Sequence, residues 1–174
     1  MSAHEKAAAI RLMAFDVDGV LTDGGLYYSP RGDELKRFSV LDGHGLKMLQ
    51  KAGIEVAIIT ARQSPMVALR AENLSLTHVF QGAKDKRATL ATLREQLGLP
   101  AQACGYMGDD IVDLPVLRSC GFAATPANGH VFVKAHVDLT TQAVGGHGAV
   151  REVCEYILAA QGRLAAMLES YLTS

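Results

Sequence analysis

Two aspartates one residue apart close an apolar run near the start of the chain, Ile10-Arg11-Leu12-Met13-Ala14-Phe15-Asp16-Val17-Asp18-Gly19. A short apolar run of this kind suits a buried strand. A carboxylate pair at its end, followed by glycine, suits a site better than a core. Three later segments carry groups that such a pair needs: Thr60 at the end of Ile54–Thr60, Lys86 in Gly82-Ala83-Lys84-Asp85-Lys86, and the acidic run Gly108-Asp109-Asp110-Ile111-Val112-Asp113. Two acids near a turn are usually only solvated, so a lone Asp-x-Asp says little. The ordered set of four segments is much more specific.

Groups so far apart in sequence meet only if the fold gathers them. Apolar runs alternate with helical patterns, as in a doubly wound, Rossmann-like parallel sheet of the α/β class. Strands are expected over residues 10–16, 54–60, 78–81, 103–108, 121–124 and 136–139, and helices over 43–52, 65–74, 85–97 and 110–119. Gly53 and Gly98 stand where helix C-caps belong, and Ser64-Pro65 reads as a helix start. In such a sheet the C-terminal ends of the strands share one edge, and ligands bind there. Asp16, Asp18, Thr60 and Asp109 fall at these ends, and Lys86 falls just after another.

Two regions break the alternation. Leu26–Tyr28 and Leu35–Val40 flank Ser29-Pro30-Arg31-Gly32-Asp33, so residues 24–41 read as a β-hairpin flap beside the site. Val144-Gly145-Gly146-His147-Gly148-Ala149 reads as a flexible link. It precedes one C-terminal helix that Gly162 weakens, and it could swing that tail (145–174) across the entrance.

Composition narrows the class. A chain of 174 residues, 49% of them hydrophobic, is expected to form one domain over 1–174 and is not disordered. A net charge of −1 and scattered basic residues give no basis for binding nucleic acid or an anionic membrane. No apolar stretch approaches a membrane span, and residues 1–9 lack the apolar core of a signal peptide, so a cytoplasmic protein is expected. Cys104, Cys120 and Cys154 form no metal or redox motif.

Taken together, Asp16-Val-Asp18-Gly-Val, Thr60, Lys86 and Gly-Asp109-Asp110-x-x-Asp113 resemble the motifs of the haloacid dehalogenase superfamily of phosphotransferases. The resemblance runs over roughly nine tenths of the chain. It implies that Asp16 is the nucleophile, forming an aspartyl-phosphate, and that Asp18 is the general acid and base. It implies a Mg²⁺ site from Asp16, the carbonyl of Asp18 and Asp109, an ion that prefers hard oxygen ligands. Asp110 or Asp113 would touch the metal through water or orient Lys86, and one of them would cap the following helix. Thr60, with the backbone N–H groups of neighbours such as Ala61, would hold a phosphate oxygen. Gly19 would let the backbone approach the phosphate. Lys86, favoured over Lys84 by the spacing, would place a positive charge on the transferring group.

Within the superfamily the chain lacks room for a cap domain, either between Gly24 and Leu41 or between Thr60 and Lys86. Asp16–Gly24, Phe38–Gly45, Ile59–Arg62, Gly108–Asp110 and Gly145–Glu152 together look like the capless family of 3-deoxy-D-manno-octulosonate 8-phosphate phosphatases. That resemblance implies release of phosphate from an eight-carbon keto-sugar acid, in lipopolysaccharide precursor synthesis, by a homo-oligomer, expected to be a tetramer. Arg62 would then meet the substrate carboxylate. Ala61, Leu41 and His147 depart from the family's usual glycine, arginine and arginine. The competing readings are a phosphatase of a nine-carbon keto-deoxy sugar acid 9-phosphate and an inactive scaffold of the same fold. A signalling receiver is rejected because its acceptor follows a middle strand, whereas Asp16 follows the first.

Overall fold

The sheet is built outward from β1 (Leu12–Phe15), whose four residues are all buried. The computed structural model describes residues 1–172. Within them β1 pairs in parallel with β4 (Glu55–Ile59) on one side and β6 (Cys104–Met107) on the other. Beyond β4 lies β5 (His78–Phe80), and beyond β6 lie β7 (Phe122–Thr125) and β8 (Leu139–Thr140), all parallel. The first and fourth strands of this sheet are therefore neighbours at its centre. The chain winds outward in opposite directions from that pair, which makes the gap beyond their C-terminal ends the switch point of a doubly wound sheet.

Alternation along β1 divides the interior in two. Met13 and Phe15 face one layer, made by α2 (Val40–Lys51), α3 (Pro65–Asn73), α7 (Ala149–Ala160) and the N-terminal α1 (Ala3–Ala8). Leu12 and Ala14 face the other, made by α4 (Lys86–Gln96), α5 (Leu114–Leu117) and α6 (Val131–Lys134). Side chains of a strand point to opposite faces in turn, so one apolar run can serve two cores.

Several boundaries differ from the sequence expectation. The helix expected at 110–119 is a 3₁₀ turn, Ile111–Asp113, followed by α5, with Pro115 in the first turn of α5. The strand expected at 136–139 is only β8, since the chain is still turning after α6, with His136 N–H donating to the Val133 carbonyl. α2 starts at Val40, three residues early, since Ser39 caps it. The hairpin is correspondingly short, β2 (Tyr27–Tyr28) against β3 (Glu34–Leu35), and Phe38 packs on the core instead of extending the flap. The expected C-terminal helix breaks into α7 and α8 (Leu164–Glu169) at Gly162, whose φ of 67° ends a right-handed helix. α1 was not expected, although Ser2 and Glu5 form a full capping box. Positions 173 and 174 of the expected tail lie outside the described residues.

The glycine-rich segment is not a loose link. Gly145 and Gly146 are buried, and α7 beyond them contributes Val150, Val153, Cys154, Ile157 and Leu158, all fully buried. The tail therefore cannot swing as a unit, since displacing α7 would open the core beneath α2.

Candidate active site

Asp16 follows β1 directly, and its N–H donates to the Met107 carbonyl at 3.0 Å, which sets the Asp16 loop against the end of β6. The chain then turns tightly through Val17–Leu21. Gly19 takes φ +84°, and a β-carbon there would collide with the carboxylate of Asp109. Glycine is thus needed twice over, for its backbone angle and for the approach of the second acid.

Around Asp16 lies a buried ion cluster. Lys86 donates to Asp16 Oδ2 and to Asp113 Oδ1, each at 2.6 Å. Exposures are 6% for Asp16, 8% for Lys86 and 0% for Asp113, so water does little to screen these charges. The other oxygen of Asp113 accepts the N–H groups of Asp109 and Asp110 at 3.2 and 3.4 Å. Asp113 therefore orients Lys86 and shapes the loop that carries Asp109, whereas Asp110 caps the 3₁₀ turn.

Carboxylate oxygens of Asp16, Asp109 and Asp113 lie within 4.8 Å of one another. Burial, with the charge of Asp113, pushes Asp16 up to about 6 against the opposing pull of Lys86. Burial and the charges of Asp16 and Asp113 push Asp109 up to about 7. Burial lowers Lys86, but the two carboxylates outweigh it and the net shift is upward. Three acids against one lysine leave a surplus of negative charge. A small hard cation with oxygen ligands fits that surplus.

The remaining expected residues line the same cleft: Asp18, Gly19, Thr60, Ala61 and Arg62, beside Asp16, Lys86 and Asp109. Thr60 is 2% exposed, and its backbone is held by Phe80 and Ala83. The Tyr106 hydroxyl donates to the Ile59 carbonyl at 3.0 Å, tying the end of β6 to the residue before Thr60. Asp18 turns away from the buried cluster. Its carboxylate meets Lys36 at 2.5 Å and the Arg62 guanidinium at 3.8 Å, and both cations also reach Glu34. The carboxylate of Asp18 is thus not part of the acidic triplet, and only its backbone is left for a metal role.

Lys36 and Glu34 were missed from sequence. Both sit in or next to β3, and alternating charges on a short hairpin strand ordinarily mean a solvated edge. Their place at the site depends on the hairpin folding back over Asp18.

Fold and site together define a phosphotransferase of the haloacid dehalogenase superfamily, without an inserted cap domain among the described residues. The comparisons narrow this. No family model matches the chain. The 3-deoxy-D-manno-octulosonate 8-phosphate phosphatase of Escherichia coli K12 is 43% identical, over 91% of this chain and 85% of its own. The crystal structure of the phosphatase of that name from Moraxella catarrhalis, in complex with magnesium, phosphate and KDO, superposes with a TM-score of 0.95 at 44% identity, covering 97% of each chain. The cobalt-bound enzyme from Haemophilus influenzae gives a TM-score of 0.91 at 39% identity, covering 96% of this chain and 99% of its own. The chain belongs to the 3-deoxy-D-manno-octulosonate 8-phosphate phosphatase family.

Proposed function

We propose that this protein is a Mg²⁺-dependent phosphatase that hydrolyses 3-deoxy-D-manno-octulosonate 8-phosphate to the free sugar acid and phosphate. The observation that carries the reading is the cleft itself: in a chain of this family, Asp16, Asp18, Thr60, Lys86 and Asp109 all line one space. The complete set also argues against an inactive scaffold.

Asp16 attacks phosphorus, the bond from phosphorus to the sugar oxygen breaks, and an aspartyl-phosphate forms. Asp18 gives the departing oxygen a proton. It then takes a proton from water, which attacks the aspartyl-phosphate and frees Asp16 and phosphate. Lys86 balances charge on the transferring group while holding Asp16 in place. Thr60 and the N–H of Ala61 hold a phosphate oxygen. The ion, carried by Asp16, Asp109 and the backbone of Asp18, neutralises phosphate oxygens when bound. The position of Arg62 at the mouth, 42% exposed, suits the carboxylate of the arriving sugar acid. The relatives matched carry the name of the eight-carbon substrate, which favours it over the nine-carbon alternative.

The chain works as one domain and as a homo-oligomer, most simply a tetramer. Support comes from the flap, where Leu26, Tyr27, Tyr28 and Leu35 are 49%, 45%, 60% and 58% exposed, an apolar surface that a second copy would cover. The cleft holds about 270 Å³, below the roughly 300–1,000 Å³ usual for small-molecule sites, so a neighbour would help enclose a long sugar chain. No described helix is long and apolar enough to cross a membrane, which is compatible with work in the cytoplasm on lipopolysaccharide precursors. Nothing in the net charge of −1 calls for nucleic acid as a partner.

A screen of the purified protein with Mg²⁺ against phosphorylated sugar acids tests the reading. The eight-carbon keto-sugar acid 8-phosphate should turn over fastest. Preference for the nine-carbon 9-phosphate, or no turnover, would overturn it.

A further inference from the structure

The buried glycines of 145–146 lie directly on the nucleophile loop. A β-carbon at 145 would collide with the Gly19 carbonyl, and one at 146 would collide with the backbone of Thr22 and Asp23. Gly146 N–H donates to the Val20 carbonyl at 3.0 Å. A β-carbon on Gly19 itself would meet the Asp109 carboxylate. The Gly19 peptide is therefore clamped between the metal-site acid and the glycine strap.

One side chain closes this arrangement into a ring. Asn128 Oδ1 accepts the Gly145 N–H at 2.9 Å. Two residues on, His130 N–H donates to the Asp109 carbonyl at 2.8 Å. The turn after β7 thus holds the strap with one residue and the Asp109 backbone with another, while the strap bears on the loop of Asp16. We infer that Asn128 is a positioning residue for the metal site, setting the spacing between the Asp16 loop and Asp109 through Gly145. Asn128 is itself exposed and does not line the cleft, so it acts on the site only through the strap.

The inference rests on the magnesium reading of the acidic triplet. Both are tested by calorimetric titration of Mg²⁺ into the metal-free full chain, at high ionic strength so that an added surface charge is screened. Asn128→Ala should bind Mg²⁺ about tenfold more weakly, the size usual for losing an outer support of a metal ligand. Its melting temperature should stay near the parent's, and its kcat should fall with little change in KM. Asn128→Asp keeps the acceptor and should recover most of the affinity. Gly145→Ala forces the Gly19 carbonyl to move and should weaken binding at least as much as Asn128→Ala. If the parent binds no Mg²⁺, the metal reading fails and takes the inference with it. If the parent binds and Asn128→Ala or Gly145→Ala binds equally well, or Asn128→Asp is as weak as Asn128→Ala, the inference alone fails.

Discussion

Two ion clusters meet at the end of β1, and they differ in almost every physical respect. The inner one, Asp16–Lys86–Asp113, is closed from water, and each partner comes from a different loop or helix start. The outer one, Asp18–Lys36–Glu34–Arg62, joins the mouth to the hairpin and grades outward from the Lys36 side chain, 2% exposed, to Arg62, 42% exposed. Buried charges are held at the expense of desolvation and respond strongly to loss of a partner. The Arg62 pairs, at the exposed end of the outer cluster, contribute little to stability and rearrange readily. The contrast teaches a division of labour: the inner cluster holds Asp16 in place, and Arg62 at the exposed end of the outer one is free to exchange a protein partner for a substrate.

The largest effect should come from breaking the inner cluster at Asp16, the proposed nucleophile. Asp16→Asn should lower turnover by orders of magnitude. Its metal-free melting temperature should not fall, because burial and Asp113 already disfavour the charged form of Asp16. Thermal melts with and without Mg²⁺, alongside kinetics, check both halves; a marked loss of metal-free stability would contradict the view that this charge serves chemistry.

Lys86→Ala should do the opposite in the metal-free protein, leaving three acids with no cation. A loss of about 3–5 kcal/mol is the size seen when one partner of a buried pair is removed. Denaturant melts should show that loss shrinking as Mg²⁺ is added.

A third test uses pH. Asp109 is raised to about 7 and Asp16 to about 6, against an unfolded carboxylate near 4. The folded, metal-free protein therefore binds these protons more tightly than the unfolded chain does. These two groups should add stability as pH falls from about 8 towards 5, and the gain should be gone above about 8. Mg²⁺ must displace the same protons, so its apparent affinity should weaken as pH drops through 7 and 6. Titrations at several pH values would show it, and a pH-independent affinity across that window would exclude Asp16 and Asp109 as ligands.

The smallest effects belong to the outer cluster. Arg62→Ala should change stability by less than about 1 kcal/mol. It should reduce kcat/KM for the keto-sugar acid phosphate far more than for a small artificial phosphate ester without a carboxylate. Equal losses on both substrates would remove the carboxylate from the role of Arg62 and blur the distinction between the clusters.

The inner cluster and most of the sheet were legible in the sequence because they obey local rules. Asp16, Thr60 and Asp109 each end an apolar run, and Lys86 opens a helix, so strand position alone brings them to one edge. The outer cluster was half legible. Asp18 and Arg62 flank strand ends, but Lys36 and Glu34 matter only because the hairpin folds back, and no periodicity announces that. Asp113 was one of two choices in sequence, and only the fold brings it within 2.6 Å of Lys86. Gly145 and Gly146 were misread, since glycine in sequence signals freedom, whereas here it permits contact too close for any side chain. The capping box before α1 was a plain signal that went unused.

The contact of Gly145 and Gly146 with the Asp16 loop has a consequence for how the enzyme comes into being. A ribosome delivers Asp16 early and the strap late, and chains begin to organise as they emerge. Until the strap and α7 arrive, the loop of Gly19 lacks its clamp on one side, and α2 lacks the helix that covers it. The reacting residues are all present well before the site is assembled. A chain halted before Gly145 should therefore hold every residue of the cleft and still lack the contacts that set the Gly19 loop.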